Sequence, residues 1–280
     1  MNGSANLNAS LPIGVFDSGL GGLTVFREIR RVLPAESMVY LGDTARTPYG
    51  SKGAATVMRY GRESAYYLAQ RGIKLLVVAC NTVSALALDV LEEECSVPVI
   101  GTIDPAVQAA LQATRSGKIG VIGTEATIAS GAYQRVLTRA RPGVKVFSQP
   151  CPLFVPLVEQ GVLEGGIVEQ VIELYLAGIK KSGIDVLILG CTHYPLLAAA
   201  IGSYLGNGVS IDECSGAIAR EVKERLAQMQ VLSERPFQQD HYLVTDEVLR
   251  FNRLAELFLG GEKVEAAMLE NLEKFGEKRV

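Results

Sequence analysis

Short apolar runs alternate with longer amphipathic stretches along nearly the whole chain. Runs of β-branched and aliphatic residues predict strands at Ile13–Phe16, Met38–Leu41, Leu75–Ala79, Val97–Ile100, Ile119–Ile122, Val144–Phe147, Val186–Leu189 and Tyr242–Val244. Stretches of helical length lie between them, at Gly53–Gln70, Ser84–Glu94, Ala106–Thr114, Ala126–Arg139, Ile167–Lys181, Tyr194–Tyr204 and Gly216–Gln230. Strand and helix in alternation predict an α/β protein with mainly parallel sheets and crossover helices.

The strand-and-helix pattern repeats within the chain. LLVVACNTVSALALDVL, which contains Cys80, matches VLILGCTHYPLLAAAIG, which contains Cys191, at an offset of 111 positions. IGVFDSG from Ile13 matches IGVIGTE from Ile119 at an offset of 106. Two landmarks with nearly equal offsets predict a duplicated unit. We therefore expect two pseudo-symmetric, doubly wound, flavodoxin-like domains that face each other across a cleft.

No low-complexity linker separates the two predicted domains. The repeat and the turn GTIDPA at 101–106 assign residues 1–103 and 213–280 to the first domain and residues 104–212 to the second. The segment from about Glu213 onward is rich in helical pattern and contains one further predicted strand. We expect it to pack back on the first domain.

Composition narrows the class of protein. The chain has 280 residues, of which 48% are hydrophobic and 20% charged, as is typical of a globular enzyme of one or two domains. The net charge is −3 and no run of Lys or Arg exceeds two residues, so nothing indicates nucleic-acid binding. No apolar run approaches the roughly 20 residues of a membrane span. Met1–Ser10 lacks a signal-peptide pattern, and a cytoplasmic protein with a small polar ligand is expected.

Cysteine usage indicates reduced thiols. The five cysteines are Cys80, Cys95, Cys151, Cys191 and Cys214. Their number is odd, they are widely scattered and none forms a Cys-x-x-Cys pair, which argues against a disulfide framework. His193 and His241 are the only histidines, and no ligand set has the short spacings of a zinc site, so no metal is expected.

Cys80 and Cys191 each follow an apolar strand and precede a helix. Ligands of parallel α/β sheets bind at this edge, where helix N-termini favour carboxylates and thiolates. A lone cysteine in this place is usually a small buried hydrophobe. Two at equivalent points of facing halves would flank a ligand and could exchange protons on its opposite faces. Cys95, Cys151 and Cys214 have no such partner and are assigned to packing.

Other loop residues are candidate ligand contacts. Asp17 and Ser18 follow the first strand, although turn and capping roles explain such residues equally well. His193 lies close enough to Cys191 to hold its sulfur or deliver a proton, but a lone histidine is more often a structural hydrogen-bonding group. Loop groups suited to a carboxylate or an ammonium are Tyr49, Gly50, Thr124 and Thr127. Glu159 lies in a helical pattern, where glutamate is usually solvated.

Two other classes of function compete with proton exchange. A nicotinamide-dependent oxidoreductase would need the pattern G-x-G-x-x-G, but counted from Gly19 the third glycine falls on Thr24. A non-catalytic amino-acid-binding module also suits two lobes around a cleft, although a binder has no use for paired thiols. Pyridoxal phosphate is not expected, because no lysine adjoins the strand-end motifs.

Five motifs together, FDSGLGGLTV, GDTARTPYG, VACNTVSA, GTEATI and LGCTHYPLL, resemble the glutamate racemase family, in order, from Ile13 to about Phe258. The resemblance implies interconversion of L- and D-glutamate without a cofactor, with Cys80 and Cys191 as the two acid/base thiols. It implies supporting roles for Asp17, Glu159 and His193. The implied substrate contacts are Asp17, Ser18, Tyr49, Gly50, Asn81, Thr82, Thr124, Thr127, Thr192 and His193. It also implies that the product supplies peptidoglycan synthesis, and it leaves a homodimer open.

Related racemases leave one alternative. Aspartate and hydantoin racemases resemble the first cysteine motif, but they usually carry an acidic residue where this chain has His193, and they lack DSGLGG. Aspartate racemase is therefore the alternative within the superfamily. The extension Met1–Ser10 departs from the family pattern, and it is too short to group the chain with members that a cell-wall precursor activates.

Overall fold

Two parallel sheets organise the described part of the chain, residues 9–234, 237–269 and 272–275 of a computed structural model. The strands are β1 (Ile13–Asp17), β2 (Met38–Gly42), β3 (Leu75–Val78), β4 (Val99–Ile100), β5 (Lys118–Gly123), β6 (Lys145–Pro150), β7 (Val186–Gly190), β8 (Ser210–Asp212), β9 (His241–Val244) and β10 (Ala266–Met268). The α-helices are α1 (Leu23–Val32), α2 (Ala54–Gln70), α3 (Asn81–Glu94), α4 (Ile103–Ala113), α5 (Glu125–Ala129), α6 (Ala132–Ala140), α7 (Phe154–Glu159), α8 (Gly166–Lys181), α9 (Ala198–Leu205), α10 (Ser215–Gln228) and α11 (Val248–Phe258). Short 3-10 helices span Thr44–Arg46, Tyr194–Leu197 and Leu272–Phe275.

The smaller sheet repeats the order of four strands of the larger sheet. The larger runs β10-β9-β2-β1-β3-β4 and the smaller runs β6-β5-β7-β8. All of these strand pairs are parallel. The order β2-β1-β3-β4 thus recurs as β6-β5-β7-β8, a flavodoxin-like arrangement that reverses direction beside the first strand of each half. The predicted α/β fold with two similar parallel halves is confirmed.

The repeat extends to side-chain packing. A Cβ atom on Gly14 of β1 would lie 2.7 Å from Cδ1 of Ile73, and one on Gly120 of β5 would lie 2.7 Å from Cδ1 of Ile184. Both isoleucines are buried and precede the third strand of their half. In each half, a glycine on the first strand leaves space for the isoleucine that precedes the third strand. This packing explains why glycine recurs at that position.

The structure differs from the sequence prediction in several elements. Strands β8 and β10 were not predicted. The helix predicted over Ala126–Arg139 is two helices, because Gly131 between α5 and α6 adopts a left-handed conformation with φ of 66°. The helix predicted from Tyr194 begins as a 3-10 turn.

The segment after Glu213 returns to the larger sheet. Strand β9 pairs with β2 and β10, and α10 packs against α1. The domain boundaries at 103/104 and 212/213 stay a prediction. Residues 1–8 of the extension Met1–Ser10 lie outside the described residues. Within the described ranges, each helix is too short or too polar to traverse a bilayer.

A buried ion pair joins distant segments at the amino-terminal edge of the larger sheet. Nζ of Lys74 lies 2.5 Å from Oε2 of Glu36 and donates to the carbonyl oxygens of Ala9 and Val231, both at 2.9 Å. Burial lowers the pKa of Lys74, and the carboxylate of Glu36 opposes that shift. Both side chains are almost wholly inaccessible to solvent. Removing one partner would leave the other charge buried and unpaired.

We predict that Lys74→Met lowers the free energy of unfolding by about 3–5 kcal/mol, because Glu36 would keep a buried charge without its counterion. Urea unfolding at neutral pH measures the change. The control Lys223→Met removes an exposed lysine of α10 and should change the value by less than about 0.5 kcal/mol. Equal effects of the two variants would contradict the prediction.

Candidate active site

The carboxyl ends of the two sheets meet at their switch points. Asp17 ends β1 and Cys80 follows β3 at the start of α3; Thr124 follows β5 and Cys191 follows β7. In both halves these are the neighbouring strands where the order reverses, the place where such sheets bind ligands. The topology therefore brings both predicted thiols to one interface between the halves.

Cys80 lies in a buried setting near the carboxylate of Asp17. The residue is 5% exposed, and its thiol donates a hydrogen bond to Oγ of Ser18 at 3.5 Å. Burial raises the pKa of Cys80 to about 12, and the negative charges of Asp17 and Cys191 add to that rise. Cys191 of the other half is therefore near enough to Cys80 to affect its pKa.

Cys191 has a positively charged neighbour instead. It is 7% exposed, and His193 lies two residues further along the chain. Nε2 of the imidazole lies 3.2 Å from Oε1 of Glu159. Burial alone would lower the pKa of His193, but the interactions with Cys191 and Glu159 raise it to about 10. His193 is therefore an imidazolium at neutral pH.

Asp17 links the two thiol environments. Oδ2 accepts a hydrogen bond from N–H of Gly19 at 2.8 Å, and Oδ1 accepts one from Oγ1 of Thr192 at 3.4 Å. Burial raises the pKa of Asp17, and the positive charge of His193 opposes this shift. Gly21 in the same turn approaches the second half so closely that a Cβ atom there would lie 2.1 Å from Oγ1 of Thr192.

Hydroxyl groups from both halves form a second cluster. Oγ1 of Thr82 lies 3.0 Å from Oγ1 of Thr124 and 3.3 Å from Oγ1 of Thr127. Gly50 packs against Thr124, and its carbonyl oxygen accepts from N–H of Ala126 at 3.0 Å. This cluster lies beside the N-termini of α3 and α5, which favour an anionic group.

Two predicted contacts use their side chains for internal bonds. Oδ1 of Asn81 accepts from Oγ1 of Thr102 at 2.9 Å and from the hydroxyl of Tyr133 at 2.6 Å. The hydroxyl of Tyr49 donates to the carboxylate of Asp43, and its ring is buried. Asn81 can thus offer a ligand its amide N–H groups, whereas Tyr49 could contribute through its backbone.

The structure brings most of the predicted site residues to the strand ends of the two halves. Hydrogen bonds pair Cys80 with Ser18, Asp17 with Thr192 and His193 with Glu159, and Thr82 contacts Thr124 and Thr127 across the halves. Cys151 and Cys214 are buried and Cys95 is half-buried. Burial raises the pKa of Cys151, and Cys191 adds to that rise. Cys151 therefore lies near the site although it is assigned to packing.

Sequence reasoning missed several residues that hold the site together. Arg250 of α11 donates from Nη2 to Oε2 of Glu159 at 3.0 Å, and Phe258 of the same helix packs edge-on against the ring of His193. Tyr133 and Thr102 hold Asn81. These contacts join segments far apart in the chain, so no local pattern signals them.

An open surface groove among the described residues lies elsewhere. It runs between α3, α4 and α10 and is lined by residues such as Glu92, Asp104 and Arg220. Neither Cys80 nor Cys191 borders it. Both thiols are almost wholly buried, away from that groove.

Comparison with known proteins agrees with this geometry. The model of the Asp/Glu/hydantoin racemase family matches residues 13–220. The glutamate racemase of Geobacter metallireducens is 48% identical over 251 residues, covering 89% of this chain and 93% of the relative. The crystal structure of glutamate racemase from Francisella tularensis in complex with D-glutamate superposes with a TM-score of 0.89 at 36% identity, covering 95% of this chain and 99% of that one. Glutamate racemase from Thermus thermophilus in complex with β-chloro-D-alanine gives a TM-score of 0.85 at 42% identity, covering 94% and 98%.

The paired α/β halves with strand-end thiols at their interface define an isomerase of the racemase class. The chain belongs to the Asp/Glu/hydantoin racemase family. The resemblance found in the five sequence motifs is thereby confirmed.

We predict that Gly21→Ala abolishes most racemase activity, because the new methyl group would overlap Thr192 and lie 2.6 Å from Nδ1 of His193. The control is Gly53→Ala, where no atom lies within 4 Å of the added carbon. Circular dichroism of the amino acid product measures activity, and thermal melting measures folding. Full activity in Gly21→Ala would contradict the close approach.

We further predict that the free energy of unfolding falls as the pH rises from about 6.5 to 10. The folded protein keeps the His193 proton in this range, whereas the unfolded chain, with an ordinary histidine pKa, has lost it. The stabilisation is complete below pH 6.5 and disappears as the pH passes 10. Urea unfolding of His193→Gln between pH 6.5 and 9 should show a smaller slope than the unsubstituted protein, and equal slopes would refute the assignment.

Proposed function

We propose that the protein is a glutamate racemase that interconverts L- and D-glutamate with the thiols of Cys80 and Cys191 and without a cofactor. The observation that carries the proposal is the placement of one buried thiol at the equivalent strand end of each half. One sulfur would remove the α-proton on one face while the other donates its proton on the opposite face. After one turnover the protonation states of the two sulfurs have exchanged.

The different settings of the thiols support an assignment of roles in the ligand-free protein. With its pKa raised to about 12 by burial and neighbouring negative charge, Cys80 is a neutral thiol and starts as the proton donor. In the direction in which Cys80 donates, Cys191 accepts the α-proton, and the positively charged imidazole of His193 lies beside it. Glu159 holds that imidazole, while Asp17 joins its loop to the Cys80 side.

Cysteine alone is too weak a base for this proton. A turnover of about 10 per second corresponds to a barrier of about 16 kcal/mol. A mismatch of roughly twelve pKa units between the α-carbon and a free thiol would consume all of it. The site must therefore stabilise the carbanion, and the substrate ammonium, hydrogen bonds to the α-carboxylate and exclusion of water can do so.

The threonine cluster supports an acidic substrate. The hydroxyls of Thr82, Thr124 and Thr127, the amide of Asn81 and the adjoining helix N-termini supply donors for two carboxylates. Ser18, Tyr49, Gly50, Thr192 and His193 complete the proposed contacts. The relatives' names support glutamate rather than aspartate. We propose that the D-glutamate formed serves peptidoglycan synthesis, which is the role the family implies, and that the domains divide at 103/104 and 212/213.

We predict that the purified protein, incubated with L-glutamate in deuterium oxide without added cofactor, forms D-glutamate with deuterium at the α-carbon. Cys80→Ala and Cys191→Ala should each lower racemisation by at least about a hundredfold, because each removes one of the two proton carriers. Proton NMR follows exchange and circular dichroism follows racemisation.

The matched control is Cys95→Ala, which removes a half-buried thiol at the end of α3 and should keep full activity. Turnover of aspartate in preference to glutamate would replace the proposed substrate. Binding of glutamate without exchange or racemisation would favour a non-catalytic module instead.

A further inference from the structure

Helix α11 belongs by its connections to the larger sheet, yet two of its side chains reach the Cys191 side of the site. The helix lies between β9 and β10, which are both strands of that sheet. Arg250 forms an ion pair with Glu159 of α7, and the ring centroid of Phe258 lies 5.4 Å from that of His193. Glu159 and His193 follow strands of the smaller sheet. The contacts therefore cross between the halves.

The carboxylate of Glu159 interacts with two cations, one through each oxygen. Oε1 accepts from Nε2 of His193 at 3.2 Å, and Oε2 accepts from Nη2 of Arg250 at 3.0 Å. With both oxygens engaged, the plane of the carboxylate is fixed in relation to the imidazole. The edge-to-face contact with Phe258, at an interplanar angle of 84°, restrains the ring from its other side.

We propose that Arg250 is a positioning residue for proton transfer at Cys191. By holding Glu159, it fixes the imidazole of His193, two residues beyond Cys191, and it does so only while α11 is docked on the smaller half. The proposal rests on the proposed two-thiol function and adds a residue that touches neither thiol. Acid/base alignment thereby becomes coupled to closure of the two halves.

Exposure of the pair argues against a mainly structural role. The side chain of Arg250 is 37% exposed and that of Glu159 is 17% exposed. Ion pairs that reach solvent contribute little to folding. Small displacements of an acid/base group, in contrast, have large effects on rate. Loss of Arg250 should therefore affect turnover far more than stability.

The test compares Arg250→Gln with Arg250→Lys and with the unsubstituted protein. Arg250→Gln removes the charge, and kcat should fall about tenfold while KM changes less than about twofold. Arg250→Lys restores a cation and should recover part of kcat. The matched control is Arg253→Gln, an exposed arginine of the same helix, which should leave kcat and KM unchanged.

Three results would overturn the inference. The first is an unchanged kcat in Arg250→Gln. The second is a fall in kcat accompanied by an equal rise in KM and a lower Tm, since this is the signature of an undocked helix. The third is the same loss in Arg253→Gln. Each leaves the two-thiol function standing, because that function is tested separately by Cys80→Ala and Cys191→Ala.

Discussion

The turn after β1 is in close contact with the turn after β7, and the rest of the site depends on this contact. Only a residue without a side chain fits at Gly21, because Thr192 occupies the space that a Cβ atom would need. Thr192 in turn donates to Asp17, and its carbonyl oxygen lies 3.4 Å from the donating hydroxyl of Thr24. The strand ends of the two sheets are thus held together by backbone proximity and short polar side chains. Burial of both thiols follows from this closeness.

Burying the thiols has an electrostatic consequence. Charged groups removed from water need partners, and an unpaired one is strongly destabilising. Beside Cys191, the positively charged His193 pairs with the carboxylate of Glu159, which also binds Arg250. Cys80 lies instead near the carboxylate of Asp17, and burial together with that negative charge raises its pKa to about 12. The two buried sulfurs therefore have different electrostatic surroundings.

The fold was largely predictable from the sequence because buried parallel strands are nearly continuous apolar runs. Strand β8 was missed since Ser210–Asp212 is short, partly exposed and mixed in polarity. Strand β10 was missed because Ala266–Met268 is only three residues long and mainly exposed. The break between α5 and α6 depends on the backbone of Gly131, which the helical periodicity around it conceals. For the site, the repeat predicted which of the five cysteines to pair. Arg250, Phe258 and Tyr133 could not be predicted, because their contacts join segments that are distant in sequence.

The duplicated scaffold carries a pair of thiols that are chemically unequal. At the offset of 111 positions, Asn81 corresponds to Thr192 and Thr82 corresponds to His193. One half thus follows its cysteine with a neutral amide and a hydroxyl, and the other with a hydroxyl and an imidazole. Enantiomers have equal free energies in water, so a racemase must have the same kcat/KM in both directions whatever its asymmetry. If the thiols act as proposed, the difference between them can make kcat and KM differ between the two directions, but it leaves the ratio kcat/KM equal. In the proposed starting state, with the proton on Cys80, the enantiomer whose α-proton faces Cys191 reacts directly, whereas the other requires the proton to be redistributed between the sulfurs first. His193 in place of Thr82 is the charged difference between the two settings.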